Sequence, residues 1–143
     1  MADTIKTSFP DPAAAEAAFY EAFRRLDIEQ MGRVWLDAAD ASCIHPGGAL
    51  LQGTAVILAS WAEMFRDSQP PQVASRTLQV SADRHLAVHT VEENVSSTGG
   101  RQALILATNV YRYVDGGWRM LAHHASLPLV EPRGGQPERR PLH

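Results

Sequence analysis

The stretch RQALILATNVYRYV (101–114), DGG (115–117) and WRMLAHHASL (118–127) decides how the chain folds. Two runs rich in β-branched and apolar residues flank an Asp-Gly pair, the strongest short-range signature of a β-hairpin. Side chains alternate faces along a strand, so Ala103, Ile105, Ala107, Asn109 and Tyr111 share one face, and Leu104, Leu106, Thr108 and Val110 share the other. The same period of two governs Val73–Ser81 and Leu86–Ser96, with Asp83-Arg84 between them and Gly99-Gly100 before Arg101. These runs predict an antiparallel meander of four strands. Both faces of its third strand are largely apolar, while helices from the same chain can cover only one. The outer face is therefore expected to pack on a second copy, giving a two-fold homodimer.

Upstream of the meander the period lengthens. Asp11-Pro12 supplies an N-cap and a proline at the first helical position. Phe19, Ala22, Phe23 and Leu26 follow at the spacing of one buried stripe, with Glu16, Glu21, Arg24 and Arg25 placed largely elsewhere. Asp27 caps a second, shorter helix through about Leu36, whose apolar side carries Met31, Val34 and Trp35. Ala41–His45 and Ala49–Gln52 read as short strands about the turn Pro46-Gly47-Gly48. A third helix, Thr54–Arg66, carries Ile57, Trp61, Met64 and Phe65 on one stripe and stops before Pro70-Pro71. Residues 1–10 read as an irregular N-terminus, 11–130 as a single domain, and 131–143, rich in proline, glycine and arginine, as a tail.

Composition limits the partners. The chain has 143 residues, 45% of them apolar, enough to bury a core without disulfides or a structural metal. Thirteen basic against sixteen acidic residues leave no basic footprint for nucleic acid or an anionic membrane. The single Cys43 fits a reducing compartment and reads as buried apolar filler. Residues 1–20 lack the pattern of a signal peptide, and no apolar run reaches the roughly 20 residues of a membrane span. The expectation is a cytoplasmic protein.

The order helix, helix, hairpin, helix, curled antiparallel strands resembles the cone-shaped, cystatin-like fold of the nuclear transport factor 2-like superfamily. Cys43-Ile44-His45-Pro46-Gly47-Gly48, Gly53, Ala59-Ser60-Trp61, Phe65, Thr108-Asn109-Val110-Tyr111, Gly117-Trp118-Arg119 and His123-His124-Ala125-Ser126 look like its SnoaL-like branch. The resemblance spans about residues 10–127. It implies an α+β cone: two N-terminal helices, a short hairpin, a third long helix and a strongly curved four-stranded antiparallel sheet. The final hairpin is also similar to the association domain of calcium/calmodulin-dependent kinase II. There, arginines of the two strands point into a central pocket; Asn109 and Ala125 take their positions here, and Ala122 replaces the first histidine of a His-X-His pair.

The resemblance implies a ligand cavity between the concave sheet face and the helices. With Asn109 inward, Tyr111, Leu121, His123 and Ala125 join it, and His124 and Ser126 point to the dimer face. His123 is a candidate general acid or base, or else a hydrogen-bonded wall histidine. His45 is its candidate catalytic partner, or a residue that holds the Pro-Gly turn. Glu92 completes the candidate catalytic set if Thr90 faces inward, since a carboxylate–histidine pairing suits proton transfer. Asn109 and Tyr111 can orient a carbonyl or hydroxyl, and Trp35, Ile57, Trp61 and Phe65 supply apolar walls or ordinary core. Neighbouring His123 and His124 face opposite ways, and His85 and His89 lie roughly 13 Å apart on a strand, so no metal site is assigned. No phosphate loop or nucleophile elbow is present, and no cofactor is expected. Two functions follow: a homodimer that binds a small, partly apolar molecule, with cofactor-free isomerase, dehydratase or hydrolase chemistry of the SnoaL-like or ketosteroid-isomerase-like sort, or a non-catalytic association domain.

Overall fold

The computed structural model describes residues 8–97 and 99–127; the predicted tail lies outside them. Helix α1 (Pro12–Arg25) starts where Asp11 Oδ1 accepts the Ala14 N–H at 2.8 Å. It ends where Leu26 turns left-handed (φ 55°) and the Asp27 N–H reaches back to the Ala22 carbonyl. Asp27 then caps α2 (Ile28–Val34) through the Gln30 N–H at 3.0 Å. Strands β1 (Ser42–Ile44) and β2 (Leu50–Gln52) form the short hairpin, and α3 spans Thr54–Arg66. Gly53, at φ 88°, stands at the N-cap of α3 where any other residue would be strained. The Thr54 hydroxyl donates to the Leu36 carbonyl at 2.6 Å and accepts the Ala38 N–H at 2.9 Å, tying the loop after α2 to the start of α3.

The meander comprises β3 (Gln72–Ala82), β4 (Leu86–Ser96), β5 (Gln102–Val114) and β6 (Gly117–Ser126). Asp115 (φ 53°) and Gly116 (φ 85°) form the two-residue turn between β5 and β6, both left-handed as a type I′ turn demands. The expected four strands become a single six-stranded sheet in the order β2-β1-β6-β5-β4-β3. The hairpin joins because β1 pairs parallel with β6, with Cys43 opposite His123, and so covers an edge that would otherwise leave a row of backbone groups unpaired.

Two bulges bend the sheet. In β6 the register slips between Val110/Ala122 and Tyr111/Met120, so Leu121 is the extra residue and both it and Met120 face the core. In β3 the slip falls at Leu78. The concave face so formed wraps α1 and α3, where Phe19, Tyr20, Ile57 and Trp61 are almost fully buried. Burying side chains of this size contributes on the order of 2–3 kcal/mol each.

Candidate functional site

Pairing register decides which strand residues share the interior. Asn109 faces inward on β5, and His89, Val91 and Glu93 of β4 lie opposite Asn109, Ala107 and Ile105, so these three face inward as well. Glu92 is thereby turned to the outer face, where it pairs with Arg76 at 3.0 Å. The sequence-based placement of Glu92 is corrected: its neighbour Glu93 is the interior carboxylate, only 2% exposed. Helix α1 brings a second carboxylate, Glu16, 7% exposed, which the apolar-stripe reading had placed away from the core.

These groups form one hydrogen-bonded cluster. Glu16 Oε1 accepts from Thr77 Oγ1 at 2.8 Å and faces His89 Nδ1 at 3.1 Å; Oε2 accepts from Tyr111 at 2.9 Å and Asn109 Nδ2 at 3.2 Å. Asn109 Nδ2 also donates to the Tyr20 hydroxyl at 3.0 Å, and Tyr20 donates to Glu93 Oε2 at 2.6 Å. With its amide nitrogen so used, Asn109 presents Oδ1 to His123 Nδ1 at 2.6 Å, which makes Nδ1 the protonated nitrogen of that ring.

Glu16 has four partners on its two oxygens and serves as the anchor of the cluster. Glu93 is different. Among the described residues its Oε1 accepts no hydrogen bond. Burial, opposed by the Tyr20 hydrogen bond and assisted by the Glu16 charge, pushes the Glu93 carboxyl up to about 7. Burial and then the Glu93 charge raise the Tyr20 phenol well above its ordinary value. Burial lowers His123 to about 3, so its imidazole is neutral.

Aromatic rings fill the space in front of His123. Phe19 lies 4.8 Å and Trp61 6.0 Å from its ring, and Trp61 in turn contacts Phe23 at 5.4 Å and Phe65 at 5.6 Å. His45 stacks edge-on against Trp61 at 4.8 Å and holds Ser60 at 2.7 Å; burial lowers its pKa. Trp61 thus stands between the two histidines, which share no hydrogen bond. Trp35 bridges to Met120 and Ile57 is sealed in the core, so both pack the fold. Tyr111 is fully buried and bound to Glu16.

An opening of about 350 Å³ lies at the end of the cone, lined by Phe23, Leu26, Met64, Phe65, Pro71 and Val95, with Ser68, Gln69 and Ser97 also on its wall. Val95 is two residues beyond Glu93 on the same inward face, roughly 7 Å along the strand. Phe23 is one helical turn beyond Tyr20. A larger groove, about 450 Å³, lies on the sheet around Ile44, Thr90, Leu106, Thr108, His124 and Ser126. There His124 Nε2 meets Ser42 Oγ at 2.9 Å. Leu104 and Leu106 are exposed on this outer face, and the side-chain orientation expected along β5 holds throughout.

The family model of the SnoaL-like domain matches residues 13–130. The chain belongs to the SnoaL-like family. Among solved structures, it is similar to a Thiobacillus denitrificans protein provisionally described as a calcium/calmodulin-dependent protein kinase type II association domain. That match has a TM-score of 0.80 and 36% identity, over 85% of this chain and 98% of the other. A Streptomyces avermitilis protein of the NTF2-like family, provisionally described as a dehydratase, matches with a TM-score of 0.76 and 36% identity, over 82% and 94% of the two chains. A Nostoc punctiforme domain with a cystatin-like fold shares the architecture at a TM-score of 0.70 and 20% identity, over 82% of this chain and 75% of that one. The F-box protein SKIP8 of Arabidopsis thaliana is 28% identical over 113 residues, 79% of this chain. The chain spans about half the length of that curated relative, 48%. No described helix of the SnoaL-like chain is long and apolar enough to cross a membrane.

Sequence reasoning missed Glu16, Tyr20, His89 and Glu93. A signal for the first two was present: Glu16, Phe19, Tyr20 and Phe23 recur at the 0, 3, 4, 7 spacing of one helix face. His89 and Glu93 follow from pairing β4 against Asn109, a register that periodicity within one strand does not supply.

Proposed function

We propose that this SnoaL-like chain is a homodimeric small-molecule-binding protein, its ligand held at the open end of the cone with an apolar body among Phe23, Met64, Phe65 and Val95 and a polar group toward Glu93. One observation carries this reading: Glu93 is a buried carboxyl with one oxygen held by Tyr20 and the other accepting no hydrogen bond among the described residues, two strand residues inward of Val95 on the wall of an apolar opening. A half-satisfied buried carboxyl costs stability that the fold does not require, since Glu16 already joins α1 to β3, β4 and β5. A carboxyl held near 7 can give or take a proton at neutral pH, which suits isomerase or dehydratase chemistry without a cofactor. His123, neutral and locked to Asn109, acts in this reading as a positioning residue for the amide that also holds Tyr20.

The test is a titration of methyl-labelled protein with 2-phenylethanol, followed by NMR. Shifts confined to the methyls of Met64, Leu26 and Val95 are expected. Shifts at Leu106 and Ile44 in the outer groove instead, or none at all, would overturn the placement.

A second reading, an association module, is favoured by the exposed apolar outer face and by the 36% identity to the Thiobacillus denitrificans protein. Native mass spectrometry separates the two. A dimer supports the ligand-binding reading, and a larger ring supports the association module.

A further inference from the structure

We propose that the ligand of the apolar opening is an amphipathic carboxylate, its apolar body among Phe23, Met64, Phe65 and Val95 and its anionic head on Arg24 at the rim. The inference rests on the ligand-binding reading above and narrows it to a ligand class. Three observations carry it.

The first is the continuity of two concavities. A groove of about 310 Å³, lined by Arg24, Gln72, Ala74, Asn94 and Ser96, shares Pro71 with the opening of about 350 Å³. The two meet along consecutive residues: Phe23 lines the opening and Arg24 the groove, and Val95 lines the opening between Asn94 and Ser96 of the groove. Val95 pairs with Val73 across the ladder, about 5 Å away. The Val73 carbonyl accepts from Arg24 Nη1 at 3.1 Å, so the guanidinium is held one strand beyond the opening's wall.

The second is a charge that the fold only partly neutralises. Glu21 approaches Arg24 at 3.9 Å, but the same carboxylate is held by Arg25 Nε at 2.9 Å. One acid thus serves two guanidiniums. The Val73 carbonyl fixes one arm of Arg24 without cancelling its charge, and the side chain is 39% exposed, so the planar fork keeps N–H donors for an incoming carboxylate.

The third is the sign of the lining. Among the described residues no acidic side chain lines either concavity. Asn94 and Ser96 add a neutral amide and a hydroxyl to the groove, both able to donate to a carboxylate oxygen. An ammonium at the same rim would meet the repulsion of Arg24, whereas a carboxylate gains a charge-assisted hydrogen bond. With its head at the rim, the ligand keeps its anionic charge away from the interior acids Glu16 and Glu93.

The experiment compares 3-phenylpropanoate with 3-phenylpropanamide, matched in shape and different in charge, by methyl NMR titration of the full chain near neutral pH, with 2-phenylethanol as the neutral reference. The acid is expected to move the Met64, Leu26 and Val95 methyls and to bind about fivefold more tightly than the amide. Arg24→Gln keeps a side-chain donor for the Val73 carbonyl and is expected to bring the two affinities together with little change for the amide. Ala74→Glu, at an exposed position in the groove, is expected to weaken the acid several-fold and spare the amide; it serves as the second variant should Arg24→Gln fail to fold. Equal wild-type affinities, tighter binding of the amide or of 3-phenylpropylamine, or an acid preference that survives these substitutions would overturn the carboxylate proposal while the ligand-binding reading stands. If the acid, the amide and 2-phenylethanol all leave the Met64 and Val95 methyls unmoved, both fall.

Discussion

Replacing Glu93 with glutamine tests the buried cluster through the pH dependence of folding. The carboxyl has an ordinary value of 4.5 and is held near 7 in the folded chain. Between these values the folded state keeps a proton that the unfolded state releases. Its contribution is full below pH 4.5 and is lost as pH rises to about 7. At ~1.36 kcal/mol per unit, the loss is roughly 3 kcal/mol. His123 acts with the opposite sign: its value falls from 6.5 to about 3, so the unfolded chain takes up a proton that the folded chain refuses, and stability drops as pH falls below 6.5. From 4.5 to 6.5 the two slopes oppose each other in the wild type. Glu93→Gln removes the first and leaves the second, so the variant gains stability across that window while the wild type stays nearly level in these terms. Urea unfolding read by tryptophan fluorescence at a series of pH values gives both curves. The wild-type minus variant difference is expected to fall by roughly 3 kcal/mol between about pH 4.5 and 8. Parallel curves would refute the burial argument for Glu93.

Three other outcomes follow from the same geometry. Glu16→Ala strips three buried side chains, His89, Asn109 and Tyr111, and the exposed Thr77 of their partner and is expected to cost about 3–5 kcal/mol in urea unfolding; a loss under about 1 kcal/mol would show that the cluster does not depend on its anchor. Leu106→Lys places a charge on the outer sheet face, where Leu106 is 37% exposed, and is expected to convert the proposed dimer to monomer in sedimentation without lowering the monomer's helix content. An unchanged sedimentation profile would remove that face from the interface. Gly116→Ala forces a side chain onto φ 85° and is expected to lower stability by about 1 kcal/mol in thermal unfolding; a neutral result would show that the turn relaxes.

Local chemistry was legible along the chain. Asp11-Pro12 and Asp27 announce their helices because capping is a contact between near neighbours, and Asp115-Gly116 announces its turn because only a few residue types accept two left-handed positions. The alternation of Leu104, Ile105, Leu106 and Ala107 was readable for the same reason: period two is a property of the strand itself. The interior pairing of Asn109 with His123 rests on the bulge as well: the two-residue turn alone would lay Asn109 opposite Ala122, and the extra residue Leu121 moves the register by one and brings His123 opposite Asn109.

What the tertiary structure alone decided depends on partners distant in sequence. Glu92 and Glu93 are adjacent acids, and only the pairing of Glu93 with Ile105 and Glu92 with Leu106 tells the inward one from the outward one. Glu16 gains its role from Thr77, His89, Asn109 and Tyr111, contacts that span 61 to 95 residues. The hairpin's place in the sheet required β1 to lie parallel beside β6, a pairing with no turn to signal it. Periodicity and caps are written in the backbone's nearest neighbours, whereas the sign and solvation of a buried charge belong to the groups that folding brings around it. The sequence by itself therefore determined the elements and the cone, and only the assembled interior decided that Glu93 is the inward carboxyl.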